Sequence, residues 1–282
     1  MPSWLDRWAA WRRSRTLANR AIPDALWQST LVRFPFLGRR TAASLIRLRE
    51  MATLFLAEKE FTGVGGLEVT DDMAVAIAAQ ACVPVLELGL HRYAGFVGIV
   101  VHADAVAAHR EVMDDAGVVH QYVEELSGEA MEGGPLMLSW SDVSEAGASA
   151  AWGYNVVIHE FVHVLDMQAS RADTRSKAEA EGWAKRLAVE FERFVCRVDA
   201  GEDTLLDPYG AEAIEEFFAV AAEAFFVAPD DVRAEEPLTY DLLSEFFCQS
   251  PADSSAEAST RSIAPSPAAA GALMKKGSRS SL

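Results

Sequence analysis

A helix-dominated α+β fold is predicted for this chain by three observations. Segments with helical periodicity recur, three of them between residues 155 and 227. Only two stretches read as good strands, residues 96–102 and 135–140. The 282 residues, half of them hydrophobic, are enough to bury a sizeable core.

Taken in order, the first 20 residues are basic, with Trp4, Trp8 and Trp11 interleaved among arginines. Pro23 suits a helix start, and residues 40–60 place Leu45, Leu48, Met51, Leu54 and Phe55 at helical spacing. Glycines within 63–66 stop that helix. Residues 67–69 form a short strand candidate, and 73–86 an apolar helix ended near Pro84 and Gly89. F-V-G-I-V-V-H at 96–102 reads as a buried strand. P-L-M-L-S-W at 135–140 reads as a second one, either an edge that could pair with an extended peptide or a plain core strand. Helices follow over about 155–168, 177–198 and 212–227, with a short one near 240–248. From Ser250 the Ser/Ala/Pro composition cannot bury enough apolar area to order itself. The expected organisation is a basic segment over 1–20, a single domain over 21–249 and a disordered tail over 250–282.

The net charge is −17, and the middle of the chain is more acidic still, because residues 1–20 carry +4 and 250–282 carry +2. An acidic body repels phosphate backbones, which argues against nucleic-acid binding. Three widely spaced cysteines, Cys82, Cys196 and Cys248, read as reduced thiols. No secretory pattern is visible, and the longest good apolar run is too short to span a bilayer. A soluble cytoplasmic protein is the expectation.

The chemistry concentrates at H-E-F-V-H, residues 159–163. Imidazoles at i and i+4 on a helix point the same way and can take two corners of a tetrahedral zinc site. Taking His159 as zero, His163 lies near 40°, Asp166 near −20° and Glu160 near 100° around the helix. The rest of that helix is apolar, so it is buried with one polar stripe. Burying those groups unpartnered would cost roughly 2 kcal/mol or more each, a cost that a bound metal removes. Glu160 is placed to act as a general base, and Asp166 to orient a ligand histidine.

A third ligand is required, and no histidine follows His163. The best source is the helix carrying Glu212, Glu216 and Glu223, which share one face within about 40°. Glu212 in a first turn is explained by the helix dipole. Spacing does not decide between Glu216 and Glu223.

These residues resemble the MtfA-type zinc peptidases, bacterial proteins related to the DgsA (Mlc) anti-repressor. The matching stretches include I-P-D-A-L-W (22–27), L-F-L-A-E-K-E-F (54–61), A-A-Q-A-C-V-P-V-L (78–86), L-S-W (138–140), V-V-I-H-E-F-V-H-V-L-D-M (156–167) and P-Y-G-A-E-A-I-E-E-F-F-A-V-A-A-E-A-F-F (208–226). The resemblance spans roughly residues 20–248. It implies a zincin-like, gluzincin fold, with a small mixed sheet, two lobes around a cleft and two zinc-bearing helices. It implies one Zn2+ per chain, held by His159, His163 and Glu216, with Glu223 buried behind them and Tyr209 stabilising the transition state. It also implies aminopeptidase-type activity on short peptides and a link to a glucose-responsive DgsA/Mlc-type repressor. The loop over 168–181 looks shorter than the family's. The rival reading is a regulatory protein that binds a repressor and keeps only a vestigial or structural zinc site.

Overall fold

The computed structural model describes residues 4–104, 106–113, 119–126, 128–130, 134–149, 153–172 and 177–253. The order begins α1 (Trp4–Asn19), α2 (Asp24–Arg33), a 3-10 turn (Pro35–Arg39), α3 (Ala42–Glu58), β1 (Glu60–Gly63) and α4 (Asp71–Ala81). A 3-10 turn (Leu90–Tyr93) leads to β2 (Gly98–His102), β3 (Val106–Met113), β4 (Val119–Leu126), β5 (Gly128–Ala130) and β6 (Leu136–Ser139). Then come α5 (Trp140–Ser149), α6 (Val156–Ala172), α7 (Lys177–Asp199), a 3-10 turn (Pro208–Ala211), α8 (Ile214–Val227), α9 (Pro229–Glu235) and α10 (Pro237–Phe247).

Local chemistry sets the helix starts. The Thr41 hydroxyl accepts from Ser44 N at 3.2 Å and opens α3, while Thr70 accepts from Met73 N at 3.3 Å and opens α4. Pro23 stands just ahead of α2, where its missing N–H costs nothing.

The main sheet runs β1-β2-β6-β5, and β3 and β4 form a separate antiparallel pair. β1, β2 and β6 are parallel, with Glu60 opposite Gly98 and Ile99 opposite Leu136. β5 joins antiparallel to β6 at the edge, Glu129 opposite Met137. The chain is therefore helix-rich with a small mixed sheet, an α+β arrangement.

Three expectations change. The first strand is Glu60–Gly63, not 67–69: Gly65 and Gly66, at φ 65° and 88°, turn the chain sharply, and a Cβ on Gly63 would lie 2.0 Å from Leu67 O. The 64–67 turn thus ends the ladder before 67–69 could join it. Residues 135–140 do not form an edge, since β6 lies between β2 and β5. The Ser/Ala/Pro segment stays packed as far as Asp253: Ala252 is fully buried and its N–H donates to Tyr240 Oη at 3.2 Å. The remainder of the expected tail, 254–282, lies outside the described residues.

Two aromatic clusters fix the central helices. Phe161 of α6 sits edge-on to Phe55 of α3 and to Tyr93, with centroids 5.6 Å and 5.0 Å away. Phe218, Phe225 and Phe226 of α8 pack on Phe247 of α10, and Phe218 also meets Trp183 of α7. Emptying one such ring site costs about 3–5 kcal/mol. Anchored this way, α8 turns its phenylalanines to α7 and α10 and its glutamates to α6.

Candidate metal centre

Helix α6 begins at Asn155, whose side-chain Oδ1 accepts from Ile158 N at 2.9 Å and whose carbonyl accepts from His159 N at 3.0 Å. One turn on, His159 and His163 project on one face, and their Nε2 atoms are 3.1 Å apart. From α8, Glu216 Oε2 lies 3.2 Å from His159 Nε2 and 3.3 Å from His163 Nε2. Among the described residues these three are the set able to converge on one metal ion.

The triangle fits a metal. A tetrahedral zinc with ligands at about 2.0–2.1 Å has ligand–ligand edges of about 3.3–3.4 Å. The three observed separations, 3.1, 3.2 and 3.3 Å, approach that edge. Glu160 supplies a second observation. It is buried, and its Oε2 has no protein hydrogen-bond partner. A carboxylate oxygen left unpartnered beside three converging ligand atoms is placed for a group that enters with the metal or the substrate.

Electrostatics follow from burial and charge. Burial pulls the His159 imidazolium down, but the Glu223 and Glu216 carboxylates outweigh it and hold its pKa up at about 10. Burial raises Glu216, yet hydrogen bonds from the two imidazoles bring it to about 2, so it stays ionised. Burial pushes Glu160 up to about 7, against the opposing pull of His159 and His163. Burial also raises Asp166, helped by Glu215.

Glu223 meets the other ring nitrogen of His159. Its Oε1 lies 2.6 Å from His159 Nδ1, and its Oε2 accepts from Asn155 N at 2.5 Å. Asn155 Nδ2 in turn donates to Gln80 Oε1 at 2.8 Å, and Gln80 Nε2 donates to Ala76 O at 3.1 Å. The chain of bonds ties α4, the start of α6 and α8 into one buried network. Asp166, expected in the orienting role, is half-buried, and no hydrogen bond joins it to either imidazole. Tyr209 is half-exposed, its ring centroid 6.3 Å from that of His159. Glu212 is exposed and precedes α8, which starts at Ile214.

Sequence reasoning missed Gln80 and Asn155. Both left a signal: Asn is a favoured cap just ahead of the apolar helix, and Gln80 interrupts an apolar helix as His159 interrupts its own.

Residues 8–248 match the family described as glucose-regulated metallo-peptidase M90. The chain belongs to that family. It is 31% identical to an uncharacterized protein of Synechocystis over 256 residues, covering 89% of this chain and 91% of the relative. It is 31% identical to Mlc titration factor A of Salmonella arizonae over 234 residues, covering 81% and 92%. The Klebsiella pneumoniae protein of that name is 30% identical over 247 residues, covering 86% and 91%. Among the described residues no helix is long and apolar enough to cross a membrane.

Proposed function

We propose that this protein is a cytoplasmic zinc peptidase with a zincin-like, gluzincin fold, its one domain acting on short peptides in the manner of an aminopeptidase. The reading is carried by the 3.1–3.3 Å triangle of His159, His163 and Glu216 with the unpartnered Glu160 oxygen beside it. Those three residues hold Zn2+, which supplies Lewis acidity toward a scissile carbonyl and toward an attacking water. Glu160 takes the proton of the attacking water at Oε2 and returns it to the leaving amine. Glu223 fixes the His159 tautomer through Nδ1. Tyr209, at the rim, donates a hydrogen bond to the developing oxyanion. The short edge strand β5, packed against α6, offers peptide groups for an extended substrate.

The test is Glu160→Gln, assayed on a panel of short peptides. Metal content should stay near one per chain while hydrolysis collapses; undiminished hydrolysis would refute the assignment.

A second reading is favoured by the relatives named Mlc titration factor A: this chain binds a DgsA/Mlc-type repressor. Binding retained by His159→Ala/His163→Ala would separate that role from the metal.

A further inference from the structure

Away from the metal centre, a cavity of about 180 Å³ has walls that include Phe36, Arg39, Arg40, Ser44, Phe226 and Cys248. Phe226 lies ten residues beyond Glu216 on α8, about 15 Å along the helix axis. The cavity is separate from the peptidase site.

Arg40 lines this cavity as a buried cation. It is only 8% exposed. Its Nη1 donates to Phe36 O at 3.0 Å and to Leu37 O at 3.3 Å. Among the described residues no carboxylate pairs with it, and neither Nε nor Nη2 meets a protein acceptor. Nor are those two atoms sealed away as buried unpartnered groups, so each keeps some contact with solvent, and Arg40 is one of the residues that line the cavity. The carboxylates nearby are engaged elsewhere: Asp230 with Arg39 at 3.5 Å, and Glu87 with Arg47 at 2.7 Å. Burial lowers the Arg40 pKa to about 10, which leaves it charged at neutral pH. Capping two carbonyls occupies one nitrogen of the guanidinium fork, while the rest of the fork has the geometry for an oxyanion. A buried charge without a counter-charge is costly, and an entering anion offsets that cost.

We propose that this cavity binds a small organic oxyanion, a carboxylate or phosphate carrying a short apolar group, with Arg40 as its anchor. Ser44, whose hydroxyl is 2.9 Å from that of Thr41, shares the cavity wall with Arg40, and Phe36 and Phe226 provide its apolar part. The volume is below the roughly 300–1,000 Å³ of sites for drug-sized ligands, which restricts the ligand to a few heavy atoms beyond the anion.

Cys248 provides a native reporter in the cavity wall. Of the three thiols, Cys82 is buried and Cys196 is exposed elsewhere, so Cys196→Ser leaves Cys248 as the reactive one. The metal-loaded full chain is treated with iodoacetamide in the presence of inorganic phosphate, methyl phosphate or butyrate, with chloride as the ionic-strength control. At least one of the three should slow Cys248 alkylation saturably, about ten-fold at ten times its Kd. Protection by phosphates alone or by the carboxylate alone supports the site and identifies the headgroup. Ser44→Glu places a carboxylate in the first turn of α3, where the helix dipole favours it, so this variant folds. That carboxylate should fill the anion's place and abolish protection, and Arg40→Lys should weaken it. No saturable protection by any of the three, or equal protection in Ser44→Glu, would overturn the proposal.

Discussion

Glu223→Gln isolates the support behind the proposed metal ligands. The substitution keeps the side chain's size and removes a charge and an acceptor. In the native fold the two carboxylate oxygens serve two donors, His159 Nδ1 at 2.6 Å and Asn155 N at 2.5 Å, with the side chain 3% exposed. An amide has one oxygen, so its NH2 group must face one of those donors. Leaving a buried donor unsatisfied costs about 1–3 kcal/mol. Where His159 loses its partner, its tautomer and ring angle are no longer held, and metal affinity falls about 10- to 100-fold. That is about 1.4–2.7 kcal/mol of binding free energy. Competition for Zn2+ against a chromophoric chelator measures it, with circular dichroism to verify the fold. Zinc affinity within about two-fold of wild type together with an unchanged urea midpoint would refute the orienting role of Glu223, since the amide must forfeit one donor or the other.

Gly147→Ala would place a Cβ 2.0 Å from Arg33 O, so α5 or the end of α2 must shift. The expected loss is about 1–3 kcal/mol, read as a lower urea midpoint at unchanged slope, and an unchanged midpoint would contradict the close approach. Burial holds the Lys59 pKa below its ordinary 10.5, partly offset by Glu58 and Cys82, while its Nζ donates to Tyr93 O and Phe96 O at 2.5 Å each. Between the lowered value and 10.5 the unfolded chain binds more protons, so this group's contribution to stability rises with pH. Relative to Lys59→Met, the wild-type urea midpoint should therefore climb as pH approaches 10.5, and a constant or shrinking difference would refute the burial argument.

Much of the candidate site was legible because it depends on helix periodicity. His159, Glu160 and His163 belong to one helix, and 3.6 residues per turn put both imidazoles on one face before any tertiary contact is known. By spacing, Glu216 and Glu223 were legible as a pair on one face but not as different roles, which only the family resemblance separated. Both sit toward α6; the difference is that Glu216 reaches Nε2 of both histidines and Glu223 reaches only Nδ1 of His159. Asp166 shows the converse. Its angle around α6 was suitable, yet what a side chain meets depends on the neighbouring helix, and α8 brings Glu223 to His159 instead.

The strands were less legible for a related reason. Residues 67–69 carry a reasonable strand pattern, but two left-handed glycines just before them reverse the chain. β5 spans three residues, too few for a period-2 signal, and its pairing turns β6 from a possible edge into an interior strand.

Spacing along single elements is enough to mark the candidate metal-binding helix, the helix-rich class and the set of carboxylates available as a third ligand. Packing between elements sets which glutamate meets which imidazole nitrogen, that Gln80 and Asn155 stand behind them, and that Arg40 is buried with no counter-charge among the described residues. Those facts depend on distances between segments far apart in the chain, which packing sets and periodicity does not encode.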